Sequence, residues 1–216
     1  MSSKGIDIAT MLDDLNLPLA ALRWKEIVAA PNLADFTPYQ LFREVMEPQY
    51  IETMNNRYKT NLRLSKLIDR SALAENLVTS NIRRYNDAVV QQLLSFRFAE
   101  ERLNVGVYGI TEAGKSYFMS AFCNEACHRN YRCMFVDYCD LLDELLVLSR
   151  RDDLDKYRKR LKYYARIQIL FIDDFAISRY SEDGIKILYH LIKTRTDLKT
   201  STMFTSRTRR PNGAST

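Results

Sequence analysis

The octapeptide from Gly109 to Ser116 (Gly-Ile-Thr-Glu-Ala-Gly-Lys-Ser) constrains this chain most, because its spacing matches a phosphate-binding loop. Such a loop needs a buried strand before it and a helix after it. The apolar run at 104–108 supplies the strand, and residues 117–126 have the composition of the helix. The loop and its flanks therefore predict an α/β fold that binds ATP or GTP.

The residue types of the loop indicate how it would hold a nucleotide. Glycines let backbone N–H groups surround phosphates, Lys115 would reach the β- and γ-phosphates, and Ser116 would hold Mg²⁺. The expected nucleotide contacts are Gly109, Ile110, Thr111, Glu112, Ala113, Gly114, Lys115, Ser116 and Tyr117. The alternative interpretation is a glycine-poor turn with an accidental lysine.

A second apolar run, residues 169–172, ends in two acids, Asp173 and Asp174. We expect Asp173 to hold Mg²⁺ through its water shell and Asp174 to orient or deprotonate the attacking water. Lys115, Asp173 and Asp174 are thus the predicted catalytic residues. For Asp174 alone, an N-cap of the next helix is an alternative.

A further short strand ends in hydroxyl groups, those of Thr205 and Ser206. In sheets of this kind we expect it to lie between the first and third strands and to point at the γ-phosphate. Either residue would then sense that phosphate, or would simply end the strand.

From residue 103 onward, short apolar runs alternate with helical patterns, which is typical of a parallel sheet flanked by helices. The predicted strands are 105–108, 132–137, 167–172 and 202–205. Between the second and third strands, helical spacing is interrupted at 149–153.

The sequence before residue 82 has helical apolar spacing, and Pro18, Pro31, Pro38 and Pro48 are each expected near a helix start. We predict three domain segments: a helical N-terminal domain at 1–80 that binds DNA or a partner, a linker helix at 81–102, and an ATP-binding core at 103–216.

The four cysteines, Cys123, Cys127, Cys133 and Cys139, are too sparse for a disulfide framework. With no secretory signal and no long apolar span, they indicate the reducing cytoplasm and no membrane contact. Packing of a helix on the sheet explains Cys123 and Cys127 better than half a metal site completed by the other two. His128 and His190 are expected to be surface or structural residues.

The net charge of +5 permits a polyanionic partner. On a helical projection Lys59, Arg63, Lys66 and Arg70 form a cationic stripe, opposite Met54, Tyr58, Leu62 and Ile68. We favour non-specific contact with DNA phosphates over a solvated helix face. A second basic cluster, Arg158, Lys159, Arg160 and Lys162, is interpreted first as a surface feature.

Several motifs in order resemble one family. They are residues 15–18 (Leu-Asn-Leu-Pro), the basic segment 56–67, the loop with its strand at 107–116, the segments 124–126, 131–132 and 135–136, residues 140–146, and the acidic strand 170–175. Together they are similar to the IstB-like ATP-binding proteins, AAA+ helper ATPases of a transposon family that are related to bacterial helicase loaders. The resemblance implies an AAA+ P-loop NTPase core with ATP and Mg²⁺. It also implies ATP-dependent oligomers on DNA and control of a partner transposase.

Three features depart from the family pattern. Glu112 and Ala113 replace smaller or uncharged residues, and a carboxylate beside phosphates weakens ATP binding. Asp174 replaces a longer Glu, so the attacking water is held less well. Arg207 follows Ser206 where Asn or Gln is usual, and a fifth strand and further arginines should follow. We therefore expect a C-terminally shortened core with an open edge beside its first strand, slow in hydrolysis.

Two other functions remain open from the sequence. One is a helicase loader of DNA replication, whose helical N-terminal part grips a helicase. The other is a small-molecule kinase that uses the same loop.

Overall fold

The computed structural model divides the chain into two compact units, Met1–Lys59 and Thr60–Thr216. It describes residues 6–31, 33–78, 86–110, 113–150, 154–177 and 180–207. The boundary between the units falls inside one long helix, earlier than the domain limit predicted after residue 80. The predicted domain limits stay predictions, because a compact unit in a structure does not show which segment folds alone.

Helices make up the described part of the first unit. They are α1 (Ile8–Asp14), α2 (Pro18–Ala29), one 3₁₀ turn (Leu33–Asp35) and most of α3 (Pro38–Leu64). Ala20, Ile27 and Val45 form a small core that holds the helices together. Half-buried apolar side chains surround these three, among them Trp24.

The prolines of this unit have different positions. Pro18 and Pro38 each begin a helix, where the missing N–H would have no intrahelical partner. Pro48 was expected near a helix start, but this is wrong, since it lies inside α3. The other hydrogen bonds of this long helix and the packing of Val45 and Met46 offset the bond lost at Pro48.

The second unit alternates strands and helices. In chain order it contains α4 (Glu75–Val78), α5 (Asp87–Leu94), α6 (Arg97–Glu100), β1 (Val105–Tyr108), α7 (Lys115–His128), β2 (Cys133–Asp137), α8 (Tyr138–Arg150), α9 (Leu154–Ala165), β3 (Ile169–Asp173), α10 (Glu182–Asp197) and β4 (Ser201–Ser206).

The four strands form one parallel sheet in the order β1-β4-β3-β2. The predicted strands and the placement of β4 between the first and third strands are confirmed. β3 begins two residues later than predicted because Ile167 and Gln168 form hydrogen bonds with residues outside the neighbouring strands. The Gln168 side chain accepts a hydrogen bond from the Arg132 N–H at 2.7 Å, and the Ile167 carbonyl accepts one from Arg195 at 2.9 Å.

Both faces of the inner strands are covered. Met134, Val136, Leu170 and Ile172 point to one face, where they pack with buried residues of α8, α9 and α10. The alternate residues point to the other face, on which α7 lies with ten buried residues. Strands buried on both faces explain why the sequence shows apolar runs rather than alternation.

The single linker helix predicted at 81–102 is wrong in its described part. Residues 81–85 lie outside the described residues, and α5 and α6 are separate helices. Phe96, with φ 59°, lies between them in the left-handed conformation. Its ring is buried against Phe98, Phe122 and Tyr131, so tertiary packing overrides the local helical pattern.

Arg195 of α10 is a buried cation that ties the starts of two strands. Its guanidinium donates to the carbonyl groups of Tyr164, Ile167 and Ser201 and to the Thr202 hydroxyl. Burial lowers the pKa of Arg195 to about 9, so the group stays protonated at neutral pH. The ends of α9 and the entries to β3 and β4 are thereby held in register.

A polar network links α8 to α9. Glu144 accepts hydrogen bonds from Arg160 Nη2 at 3.0 Å and from the Tyr164 hydroxyl at 2.5 Å. Burial would raise the pKa of Glu144, but these two hydrogen bonds outweigh it, and the pKa is lowered. Glu144 is therefore held as a carboxylate.

Candidate nucleotide-binding site

The predicted phosphate loop connects β1 to α7, a strand and a helix as its flanks required. The strand was expected to be buried, but β1 lies at the edge of the sheet and its residues are half-buried or exposed. Gly114, with φ 82°, is the residue that turns the chain into α7, in a left-handed conformation that glycine adopts at no steric cost. The predicted contacts Thr111 and Glu112 lie outside the described residues. Ser116 is exposed on the first turn of α7, and the Tyr117 hydroxyl accepts a hydrogen bond from Asn76 at 3.4 Å.

Lys115 is buried, and its ammonium group points back into the loop. Nζ donates to the carbonyl oxygens of Gly109 at 2.9 Å and Ile110 at 2.8 Å. A buried ammonium at a helix N-terminus makes this loop electropositive. The Lys115 ammonium and the N-terminus of α7 therefore meet at this loop, and both attract phosphate oxygens.

The two predicted acids stand at the C-terminal end of β3. The Thr205 hydroxyl donates to Asp173 Oδ1, and it accepts a hydrogen bond from the Asp174 N–H at 2.9 Å. The Asp174 N–H also lies 3.1 Å from Asp173 Oδ1. Asp174 itself has φ 50°, a left-handed conformation that is uncommon outside glycine. Thr205 thus fixes the side chain of one acid and the backbone of the other.

The end of β4 anchors both the loop and the acidic turn, residues 173–175. The Ser206 carbonyl accepts from the Gly109 N–H at 3.3 Å, and the Thr205 carbonyl accepts from the Phe175 N–H at 2.7 Å. The Ser206 hydroxyl donates to the Phe175 carbonyl at 3.0 Å. The structure thereby brings the loop, the acids and the two hydroxyl residues to one end of the sheet.

The alternative that Asp174 caps the next helix is excluded by the position of α10. The N-cap of α10 is Ser181, whose hydroxyl accepts from the Gly184 N–H at 3.4 Å. The Asp174 side chain instead forms an ion pair with Arg207, with Nη2 at 3.1 Å from Oδ2. Sequence reasoning noted Arg207 only as a departure. Its place directly after the hydroxyl residues was the signal that it stands near the acids.

A cavity of about 440 Å³ opens beside the loop, between α5 and the edge strand β1. Ala113 and Lys115 line its loop end, and Val89, Leu93 and Phe118 are among the apolar residues of its wall. Sequence reasoning did not identify this cavity, because the apolar residues of α5 looked like ordinary helix packing. An apolar cavity that ends at a phosphate loop is the kind of site in which a nucleotide base binds.

The cysteines behave as packing residues, as predicted. Cys123, Cys127 and Cys133 are buried between α7 and β2. A hydrogen bond to Cys127 and burial raise the pKa of the Cys123 thiol, and burial raises that of Cys133, so both stay protonated. Within the described ranges no group of three or more His, Cys, Asp or Glu residues is placed to hold a metal ion. His128 and His190 are exposed.

The four residues of the predicted cationic stripe do not all lie on one helix, so the helical projection is wrong beyond Leu64. Lys59 and Arg63 are exposed on α3, but the helix ends at Leu64, and Lys66 has φ 56°. Lys66 and Arg70 are exposed on the segment that follows.

Tertiary hydrogen bonds hold that segment in a non-helical path. The Ser65 carbonyl accepts from the Phe135 N–H of β2 at 2.7 Å. The Asn124 side chain of α7 donates to the carbonyls of Arg70 at 3.3 Å and Ala72 at 3.0 Å. In the second basic cluster, Arg160 is paired with Glu144, whereas Arg158, Lys159 and Lys162 are exposed.

The sequence of this chain matches a known protein family over most of its length. The sequence pattern of one family, described as IstB-like ATP binding protein, matches residues 10–211. The chain belongs to the IstB-like ATP-binding proteins. The membership expected from the sequence motifs is therefore confirmed.

Relatives of this IstB-like protein come from bacterial insertion sequences. A protein of insertion sequence IS5376 from Geobacillus stearothermophilus, named as ATP-binding, is 23% identical over 84% of this chain and 70% of its own length. One of IS1162 from Pseudomonas fluorescens is 25% identical over 66% of this chain and 60% of its own length. One of IS232 from Bacillus thuringiensis subsp. berliner is matched over 47% of its length. The chain thus spans between about half and 70% of these relatives.

Two solved structures with a similar fold are a replication initiator and a helicase loader. The initiator DnaA bound to AMPPCP and single-stranded DNA has a TM-score of 0.56 and 19% identity, over 66% of this chain and 44% of DnaA. The DnaC helicase loader has a TM-score of 0.53 and 19% identity, over 66% of this chain and 80% of DnaC. These likenesses show the fold of the IstB-like protein, a parallel P-loop sheet of the AAA+ type flanked by helices. None of the helices in the described part is both long and apolar enough to cross a membrane.

Proposed function

We propose that this IstB-like protein is an ATP-dependent, DNA-binding helper ATPase that assembles on DNA and regulates a partner transposase in the cytoplasm. The meeting of the phosphate loop, the acidic turn and the hydroxyl residues at the end of β4 is the observation that supports it most. The insertion-sequence names of the relatives favour a transposase over a helicase as the partner. Copurification with one or the other distinguishes these two partners.

In this proposal each residue of the site has a distinct role. Loop N–H groups and Lys115 bind the phosphates, with Nζ exchanging the two loop carbonyls for phosphate oxygens. The cavity beside β1 holds the base. Ser116 and Asp173 would hold Mg²⁺, and their hydroxyl and carboxylate oxygens are the donor type that this ion prefers. Bound Mg²⁺ would neutralise charge that develops on the phosphates.

The proposed hydrolysis needs a water in line with the γ-phosphate. As the water oxygen bonds to phosphorus, the bond to the β–γ bridging oxygen breaks, and ADP leaves. Asp174 takes the proton released by the water. Thr205 holds Asp173 and the Asp174 backbone in place. Ser206 bonds to Gly109, so a change in the loop when the γ-phosphate binds or leaves would shift the end of β4.

Nucleotide binding is tested by titrating a fluorescent ATP analogue. Replacing Lys115 with Ala should weaken affinity by about 10- to 100-fold, because a charge-assisted hydrogen bond is lost from a buried site. The control is Lys193→Ala, which removes an exposed lysine of α10 at the same cost in charge. Equal affinity of the Lys115 variant and the control would refute the loop as the nucleotide site.

DNA binding is proposed for Lys59, Arg63, Lys66 and Arg70, which are all exposed. Replacing all four with Gln should lower affinity for duplex DNA and reduce the slope of log affinity against log salt by about 0.9 for each phosphate that is no longer neutralised. The matched control removes four exposed charges elsewhere, as Gln at Arg158, Lys159, Lys162 and Arg166. If the control weakens binding as much, net charge rather than a site determines DNA affinity.

A further inference from the structure

The ion pair between Arg207 and Asp174 engages the carboxylate that the proposed hydrolysis requires. Arg207 Nη2 lies 3.1 Å from Asp174 Oδ2, and Nε lies 3.3 Å from Oδ1. Both carboxylate oxygens therefore accept from one guanidinium. A general base must direct a free lone pair at the attacking water, and a carboxylate paired in this way is poorly placed to do so.

Arg207 also stands next to the phosphate loop. It directly follows Ser206, whose carbonyl holds the Gly109 N–H at 3.3 Å. The carbonyl of Gly109 in turn holds the Lys115 ammonium at 2.9 Å. The Arg207 backbone is thus one residue from the point where β4 anchors the loop.

The two partners differ in their freedom to move. Asp174 is fixed through its backbone N–H, which Thr205 and Asp173 hold, and its side chain is 28% exposed. The Arg207 side chain is 46% exposed at the end of a strand. An exposed ion pair of this kind contributes little net stability, so a more highly charged acceptor can displace the carboxylate.

We propose that Arg207 is a positioning residue that holds Asp174 while the loop lacks a γ-phosphate and moves to that phosphate when ATP binds. Asp174 is then released to take the proton of the attacking water. ADP has no γ-phosphate, so with ADP bound Arg207 stays on Asp174. This assignment rests on the proposed function and adds to it the means by which the site distinguishes ATP from ADP.

The test compares affinity for AMPPCP, an ATP analogue that is not hydrolysed, with affinity for ADP. Arg207→Gln should lower the preference for AMPPCP over ADP by about fivefold, the value of one exposed charge-assisted contact, with ADP affinity unchanged. Arg207→Lys should retain part of the preference. The matched control is Arg97→Gln, which breaks an exposed pair between Arg97 of α6 and Glu101 directly after that helix, and should change neither affinity.

A second pair of variants distinguishes this role of Arg207 from simple repulsion between the Asp174 carboxylate and the nucleotide phosphates. Asp174→Asn frees Arg207 and should tighten AMPPCP binding by about two- to fivefold. In the double variant with Arg207→Gln, that gain should disappear, whereas relief of repulsion alone would preserve it.

The outcomes are distinguishable. A wild-type chain that binds neither nucleotide refutes the proposed function and this assignment with it. If the wild type binds both, and Arg207→Gln keeps the full preference for AMPPCP, the pair is only a surface ion pair and the assignment alone is refuted. Persistence of the Asp174→Asn gain in the double variant refutes it as well.

Discussion

Thr205 provides a sharp test of how the candidate site is built, because one buried hydroxyl group serves both acids. It donates to the Asp173 carboxylate and accepts from the Asp174 N–H at 2.9 Å. Thr205→Val keeps the shape of the side chain but removes both hydrogen bonds. A hydrogen bond to a charged group contributes about 1.5–3 kcal/mol, and the Asp174 N–H keeps Asp173 Oδ1 as a partner. We therefore expect a loss of about 2–3 kcal/mol in the free energy of unfolding.

Urea unfolding followed by far-ultraviolet circular dichroism measures this change. The only tryptophan, Trp24, lies in the first unit, so its fluorescence does not report directly on the sheet. The control Thr205→Ser keeps the hydroxyl group and loses one buried methyl group, at a cost of about 1 kcal/mol. A second measurement is the Mg²⁺ dependence of nucleotide binding, which should weaken in the Val variant and persist in the Ser variant.

Two results would refute this reasoning about Thr205. One is a Val variant whose unfolding free energy stays within about 0.5 kcal/mol of the wild type, the scatter of neutral substitutions. The other is a Ser variant that loses as much stability and Mg²⁺ dependence as the Val variant. Either result would mean that the hydroxyl group does not organise the acids.

Two further predictions concern the polar groups that support the sheet. Arg195→Met should lower the free energy of unfolding by roughly 3 kcal/mol. It leaves buried carbonyl groups without hydrogen-bond donors, and this cost outweighs the gain from removing one buried charge. Thermal melting measures the change, and a loss below about 1 kcal/mol would contradict this account. The pKa of Glu144 in the folded protein is lowered from 4.5, so the Glu144 carboxylate stabilises the fold, by at most about 1 kcal/mol. This stabilisation is fully present above pH 4.5 and is lost as the pH falls through the folded-state pKa. In Glu144→Gln, the midpoint of urea unfolding should fall less steeply as the pH is lowered below 4.5 than it does in the wild type. An equally steep fall in the variant would mean that Glu144 does not cause this loss of stability.

Local patterns were sufficient for the sheet and most of the site. The apolar run before Gly109 and the run that ends at Asp173 are continuous stretches, and each strand is specified by its own residues. The parallel arrangement then brings Asp173 and Thr205 to the same end of the sheet. No long-range information was needed beyond the rule that parallel strands share a carboxyl end.

Features set by tertiary contacts could not be predicted in this way. The residues after Leu64 continue a helical pattern, but the Ser65 carbonyl bonds to β2 and the chain leaves the helix. Phe96 likewise takes a left-handed conformation because its ring is buried among three other aromatic rings. The pairing of Arg207 with Asp174 joins residues 33 positions apart. The place of Arg207 after the hydroxyl residues indicates that it lies near the acids, but nothing in the sequence specifies which group it pairs with.

The shared anchor at the end of β4 has an evolutionary consequence. The loop and the acidic turn both hang on two consecutive residues, Thr205 and Ser206, through backbone carbonyls and hydroxyl groups. A substitution in either segment alone alters one part of the site, whereas one at Ser206, which bonds to both Gly109 and Phe175, disturbs two at once. Because these two residues also stabilise the fold at this end of the sheet, we expect few substitutions to be tolerated at either position, even where nucleotide binding is no longer required.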